Sequence, residues 1–580
     1  MPEGGEPRPQ RDSLQTAVAA LLLAGLSAAA FYRVVGHQFL NWDDQANVYQ
    51  NPDLNPVTLR AILWNFTHTR LTLYMPIAYV VWGALAIVAR QGDGTLNPAV
   101  FHAFNLAVHV LTAVAVYLLL RRLRFPPVAA WFGAAVFAVH PVQVEAVAWV
   151  SGMYTLLGGL LCYVALIEYL RYAEASQAGS GETAPAWHYA LASAAFVLAL
   201  FTKPASVAVV PMAGLIDVLL VRRRVRAAVL PLLPWAAAGL VMAVVASRFQ
   251  DVHFRYPPPW KRPAIAFDAL TAYLKMLAAP VHLSPDMGRP PDRLMASPEV
   301  YYTWIPSAAL LCVAAATWRR YPRFAAAVGL FVAGLLPYLG FTPFDFQPFS
   351  TVAQRYAYLA MLGVAMAVAI VVDRAQDRPP WALPLSAGAV IALAVWTNLQ
   401  TRYWRDTVTL FTHTLEVRPD SVMAHNILGY LDQQQGRLEG AMAHYDAVFR
   451  VEPLNPQANF NAGNIFLSLN RPADALPFYE KAIQQAPAKP AYRDNLGIAF
   501  VQTGRPDEGL RWFHEALRLD PGDASAHANI GKVLRDRGDY AGAIDEYQKA
   551  LAIQPDLPAA RRGLTAALET ARAAATRPTQ

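Results

Sequence analysis

The sequence predicts an all-α protein: a polytopic helical membrane domain of about eleven spans, followed by an α-solenoid of 34-residue repeats. Apolar residues make up 55% of the 580 and charged residues only 15%. A soluble domain carries roughly 25% charged residues, so much of this chain faces lipid. Charge is sparse before about residue 400 and ordinary after it, which marks a membrane domain and then a water-exposed one. In the last quarter, glycine and proline each return every 34 residues.

Residues 1–13 read as a polar cytoplasmic tail carrying Arg8 and Arg11, and the membrane domain is expected over 14–400. A span needs about 20 mainly apolar residues. Candidates are 14–35, 100–120, 126–140, 153–170, 187–202, 204–220, 227–247, 303–318, 324–340, 354–372 and 381–399. The first is longer than a signal-peptide core and many spans follow it, so it is expected to remain as an uncleaved span. Two shorter apolar stretches, 73–89 and 264–281, contain Pro76, Lys275 and Pro280. They are expected at the outer surface as interfacial or re-entrant helices.

Positive charge sets the orientation. Arg121, Arg122 and Arg124 form one cluster, and Arg222, Arg223, Arg224 and Arg226 a second. Arg319, Arg320 and Arg323 form a third, and Arg374 with Arg378 a fourth. Eleven spans from a cytoplasmic N-terminus put all four inside. The outer loops are then 36–99, 140–152, 248–302 and 341–353, with the repeats outside as well. The net charge of +7 reads as this loop bias. No basic stripe with interleaved aromatics is present, so membrane lipids rather than nucleic acid are the expected partners. Cys162 and Cys312 lie in apolar runs and read as buried small hydrophobes.

The repeats are registered by Gly429, Gly463, Gly497 and Gly531, and by Pro453, Pro487, Pro521 and Pro555. Ala441, Ala475, Gly509 and Ala543 fall between them, followed by Tyr445, Tyr479, Phe513 and Tyr547. This is the tetratricopeptide (TPR) pattern of paired antiparallel helices. Small residues allow the helices to approach, the aromatic fills the gap, and proline ends the second helix. Four repeats are expected over 422–557, with a half repeat or linker over 401–421 and a capping helix and tail over 558–580. Asn461, Asn495 and Asn529 also recur every 34 residues, on the first helix of successive repeats. Such a row can bind the backbone of an extended acceptor peptide, or can join helices within the array.

Several ionisable groups stand out in the membrane half. Asp43 and Asp44, in FLNWDDQANVYQNPDL, lie just outside the first span. A carboxylate there can act as general base toward a hydroxyl, or can simply cap a short helix. His140 and Glu145, in HPVQVEAVAWVSG, fall at the outer end of the third span. Ionisable groups at membrane depth are costly and raise a functional hypothesis. Lys203, in LFTKP, falls between two spans, and Arg355, in QRYAYLAMLG, begins one. Both are cationic candidates for a lipid phosphate or for interfacial anchoring. His102, Asn105 and His109 share a face of the second span and suit interhelical hydrogen bonds better than a metal. No H-E-x-x-H, paired C-x-x-C or Walker loop occurs.

The segments FLNWDDQANVYQNP, FHAFNLAVHVL, HPVQVEAVAWVSG, HLSPD and QRYAYLAMLG, in this order and followed by TPRs, resemble the transmembrane-and-TPR O-mannosyltransferase family. More remotely the chain is similar to protein O-mannosyltransferases of the C-type glycosyltransferase (GT-C) fold. The resemblance implies a polyprenyl-phosphate sugar donor, a Ser/Thr-bearing polypeptide acceptor and an outward-facing site. It implies that Asp43 or Asp44 activates the acceptor hydroxyl, with Glu145 as a further catalytic carboxylate and His140 and His102 as auxiliary groups. Arg355 and Lys203 would then hold the donor phosphate, and the asparagine row the acceptor. The family's Arg-Pro is Met75-Pro76 here, and its frequent Glu before the arginine is Gln354. The Ala-, Arg- and Pro-rich composition points to a bacterial inner membrane with periplasmic repeats. A divalent metal near the carboxylates is left open.

The expected function is therefore transfer of a sugar, with mannose expected, to Ser/Thr hydroxyls of extracytoplasmic polypeptides. Two alternatives are a non-catalytic membrane anchor for a TPR scaffold, and a lipid-linked glycan transferase acting on envelope polysaccharide. Ionisable residues gathered on one side of the membrane favour an enzyme over a mere anchor.

Overall fold

Proline and asparagine punctuate the apolar runs and set where helices begin. Asn97 caps the helix Pro98–Arg122 by accepting a hydrogen bond from the Ala99 amide at 3.0 Å, and Pro98 supplies the preset first turn. Prolines likewise open the helices Pro76–Ala89, Pro127–Val139 and Pro322–Leu335. The computed structural model describes residues 8–69, 71, 73–178, 183–249, 256–375 and 381–575. The N-terminal tail before Arg8, Arg378 of the fourth basic cluster and the tail after Ala575 lie outside the described residues.

The described residues are helical, with two isolated β-bridges and no strand. A helix occupies each of the eleven predicted spans. Among the described residues, seven helices are long and apolar enough to cross a membrane, or eight if the pair Pro127–Val139 and Pro141–Ala148, bent by 49°, is one broken span. Pro76–Ala89, Ala186–Thr202 and Pro322–Tyr338 are apolar but shorter. Length and apolarity alone therefore do not reach eleven. The helix Arg262–Ala278 is not among the spans and buries Asp268. Cys162 is buried as expected, whereas Cys312 is exposed on the apolar helix Ile305–Thr317. A helix in the lipid region turns its apolar side chains outward, so hydrophobicity there does not imply burial in protein.

The chain divides into two units, Met1–Arg418 and Pro419–Gln580. In the first, the acidic loop is seated on an apolar cluster that includes Val48, Met75, Tyr79, Trp82, Phe101 and Met153. This cluster joins the loop to the helix Pro76–Ala89 and to the start of Met153–Ala178. The helix Thr407–Val417 also belongs to this unit. Asp406 caps it, the Asn41 amide donates to Thr407 Oγ1 at 2.7 Å, and Phe411 packs edge-on against Trp42.

The second unit is the repeat array, four helix pairs from Val422–Gln434 to Tyr540–Ile553 followed by Pro558–Ala575. Ala441, Ala475 and Ala543 are fully buried beside the buried rings of Tyr445, Tyr479, Phe513 and Tyr547. A Cβ added at Gly463 would lie 2.7 Å from the Tyr479 ring, so glycine is what lets each pair close.

Candidate functional site

The acidic loop leaves the first span and turns Asp43 and Asp44 into different environments. Asp44 is fully buried, and its carboxylate accepts from the Leu40 amide at 3.0 Å, the Ser151 amide at 2.8 Å and the Ser151 hydroxyl at 2.6 Å. Burial pushes it up to about 7 against the pull of those bonds. Asp44 thereby clamps the loop to the segment after Glu145. Asp43, next to it, is half-buried. Burial raises its carboxyl to about 6, opposed by the charge of Arg355 and reinforced by Asp345.

Arg355 lies on the turn Gln354–Ala357, just before the helix Met361–Ala375. Its guanidinium pairs with Glu145 Oε1, and its backbone amide donates to Glu145 Oε2 at 3.1 Å. Glu145 is fully buried and Arg355 is 5% exposed, so both oxygens of the carboxylate serve to fix one arginine. Four rings surround the guanidinium: Phe346 at 4.3 Å, Tyr356 at 4.8 Å, Trp149 at 5.5 Å and Trp42 at 5.7 Å. Trp42 and Trp149 stack with centroids 4.6 Å apart. The planar cation is held between ring faces, where it is favourable and largely stripped of water.

Lys203 shares a cleft with Arg355 and Tyr356. Its ammonium donates to Thr155 Oγ1 at 2.8 Å and lies over the rings of Tyr154, Tyr338 and Tyr356 at 5.2–5.8 Å. Burial, with Arg355 adding to it, pulls the Lys203 ammonium down to about 7. Close backbone approach is needed here: a Cβ at Gly159 would meet the Tyr358 ring at 2.5 Å. Asp43, Glu145, Arg355 and Lys203 therefore form one electrostatic group, each pair within it linked directly or through Arg355.

The histidines stand apart from this group. His140 Nε2 lies 3.1 Å from the Leu277 carbonyl, and its Nδ1 accepts from the Val142 amide at 3.2 Å. Both ring nitrogens are thus committed to backbone at the helix break. His102 is fully buried in its span and meets His37 edge-on, with centroids 5.9 Å apart. Among the described residues, no three His, Cys, Asp or Glu side chains are gathered closely enough to hold a metal ion.

A tetratricopeptide-repeat family model matches residues 428–490 and 495–558. Over 184 residues the chain is 33% identical to protein O-mannosyl-transferase TMTC1 of Mus musculus, covering 30% of this chain and 19% of that protein. Over 222 residues it is 25% identical to protein O-mannosyl-transferase TMTC4 of Homo sapiens, covering 35% of this chain and 29% of that protein. The chain is homologous to TMTC-family protein O-mannosyltransferases over part of its length. It spans about a fifth of the TMTC1 proteins that it matches. Among solved structures it is similar to YrrB, titled a TPR protein with an unusual peptide-binding site. That likeness has 22% identity and a TM-score of 0.24, covering 30% of this chain and 88% of that one. MamA is similar at the same identity and TM-score, covering 26% of this chain and 81% of that one.

Both departures from the TMTC-like motifs have a place in the structure. Met75 is buried in the apolar cluster beneath the acidic loop. Gln354 donates to the Ser284 carbonyl at 3.2 Å, tying QRYAYLAMLG to HLSPD. In the array, Gln457 donates to Asn461 Oδ1 at 3.1 Å. Asn495 donates to Asn464 Oδ1 at 2.7 Å, and Asn529 to both oxygens of Asp494 at 3.0 Å. All three asparagines hydrogen-bond within the array, and two of them reach back to the preceding repeat. Sequence reasoning missed Ser151, Thr155, Asp345 and the aromatic cage. Ser151 and Tyr356 lie within the quoted motifs, but nothing in their spacing marks them as partners of Asp44 and Arg355.

Proposed function

We propose that this chain is a membrane glycosyltransferase that moves a sugar from a polyprenyl-phosphate carrier to Ser/Thr hydroxyls of polypeptides. Mannose is the expected sugar, from the O-mannosyl-transferases that the chain resembles. The observation that carries this reading is a half-buried carboxylate, Asp43, within the field of a fixed arginine whose cleft also holds Lys203. A carboxylate in the field of Arg355, and a second cation in that arginine's aromatic-lined cleft, suit transfer from a sugar phosphate better than they suit a passive anchor.

In this mechanism the acceptor hydroxyl gives its proton to Asp43 while its oxygen bonds to the anomeric carbon. The bond from that carbon to the phosphate oxygen breaks, the electron pair leaves with the phosphate, and the configuration inverts. Arg355 and Lys203 hold the phosphate as its charge grows. Lipid phosphate is a good leaving group, so no separate acid is required. Asp44 fixes the loop, and Glu145 acts as a positioning residue for Arg355. The TPR array would present the polypeptide, and the arginine clusters support an orientation with a periplasmic site and array in a bacterial inner membrane.

The test is the full chain in detergent with polyprenyl-phosphate mannose and a Ser/Thr-containing polypeptide, read by mass spectrometry. Hexose on the polypeptide with wild type and not with Asp43→Asn supports the reading. No hexose on the polypeptide, or undiminished transfer by Asp43→Asn, overturns it.

A further inference from the structure

The helices that line the candidate site carry a second polar cavity at their far ends. The helix Met153–Ala178 begins beside Thr155 in the cleft and ends with Glu174 and Gln177. The segment 204–221 begins beside Lys203 and ends at Leu219–Val221, next to Arg222. The helix Pro322–Leu335 runs the other way, from Pro322 and Arg323 to Gly334 in the cleft. From Thr155 to Glu174 the helix rises by roughly 28 Å at 1.5 Å per residue, about a bilayer's hydrocarbon thickness.

This far cavity has a volume of about 800 Å³, and its charged lining is Arg122, Arg124, Arg222, Arg323 and Glu174. Arg122 pairs with Glu174 at 3.0 Å, and Arg323 with Asp373 at 3.2 Å. The Nε of Arg122 is nevertheless buried without a hydrogen-bond partner. Among the described residues, the guanidinium groups of Arg124 and Arg222 have no ion-pair or hydrogen-bond partner. Both arginines adopt a left-handed backbone, each with φ of 63°, where helices end. Glycine fits such positions without the Cβ penalty, and Asn is the usual second choice. This chain keeps a long cation at both, and both residues line the same cavity.

We propose that this arginine-lined cavity binds the phosphate head group of an anionic membrane lipid, at the end of the helices opposite the candidate active site. With Arg122 and Arg323 paired to Glu174 and Asp373, Arg124 and Arg222 remain as forked donors for phosphate oxygens, and Arg matches phosphate geometry bidentately. The location suits a lipid: the partly exposed Leu219 and Leu220 share the lining with the arginines. An acyl chain beside the helices would leave the phosphate at the depth of the guanidinium groups. The proposal stands apart from the transfer reaction and uses none of its residues.

The test uses the full chain in detergent, with phosphatidylglycerol, phosphatidylcholine or inorganic phosphate as probe, and reads bound lipid by native mass spectrometry and thermal unfolding. Phosphatidylglycerol should bind at least tenfold tighter than phosphatidylcholine. The double variant Arg124→Gln/Arg222→Gln should lose about tenfold of that affinity, as expected for charge-assisted hydrogen bonds. It should fold normally, because neither side chain has a partner to lose. Arg319→Gln/Arg320→Gln, which removes two cations from outside the cavity, should keep wild-type affinity. Equal losses in the two double variants would show diffuse surface attraction and overturn the site. Stabilisation by inorganic phosphate at the affinity of phosphatidylglycerol would also overturn it, in favour of a soluble anion.

Discussion

Replacing Glu145 with glutamine separates a positioning role from a catalytic one. Glu145 is fully buried and spends one oxygen on the Arg355 guanidinium and the other on the Arg355 amide. Glutamine keeps the size but can offer an acceptor to only one of these donors, and it removes the charge. Breaking a buried pair by deleting one partner costs about 3–5 kcal/mol, because the other charge is left uncompensated. The retained acceptor places Glu145→Gln near the lower end of that range. Removing both charges in Glu145→Gln/Arg355→Gln should restore about 1 kcal/mol or more relative to the single variant, since the stranded cation is gone. The assay is unfolding of the full chain in detergent, together with donor binding and transfer. Donor affinity should fall with stability in Glu145→Gln, because Arg355 loses its fixed geometry. If Glu145→Gln folds and binds donor like wild type yet transfers nothing, Glu145 acts on the reacting groups directly and the positioning argument fails.

Other consequences follow from the same site. Asp43→Asn should lower kcat by about 100- to 10,000-fold with membrane insertion unchanged; near-normal turnover would leave Asp43 without a role as base. Asp44→Asn should instead destabilise the fold by about 1–3 kcal/mol, because an amide meets donors where a carboxylate accepted three hydrogen bonds; unfolding curves of the two variants distinguish them. In the proposed mechanism Asp43 works as base only when ionised, and Lys203 grips phosphate only when protonated. Thus kcat/KM should fall as pH drops through about 6 and also as it rises through about 7. Lys203→Arg should remove the alkaline fall and leave the acid one; a profile unchanged by that substitution would exclude Lys203 from donor binding. Replacing Asn495 and Asn529 with alanine should lower the stability of the array by about 0.5–1.5 kcal/mol each, and any rise in the acceptor KM should track that loss. A raised KM in a fully stable array would instead favour direct acceptor binding.

The sequence by itself determined the helical class and the register of the repeats, and showed a change of composition near residue 400. Those signals are local or periodic: apolar runs, a change in charge density, and Gly429, Gly463, Gly497 and Gly531 at a fixed spacing. It also drew out Asp43, Glu145, Lys203 and Arg355, because charge is conspicuous in an apolar chain. Their surroundings were decided by the tertiary structure. Arg355 meets Glu145 across 210 residues, and Asp44 meets Ser151 across 107. Trp42, Trp149 and Phe346 reach the same guanidinium from three separate segments. Neighbouring Asp43 and Asp44 look alike in sequence, yet one is half-buried in the field of Arg355 and the other is saturated with donors. Spacing along a chain reports what shares a helix face. It does not report which distant segments meet, and the charge, burial and hydrogen bonding that set each carboxylate's chemistry arise only where they do.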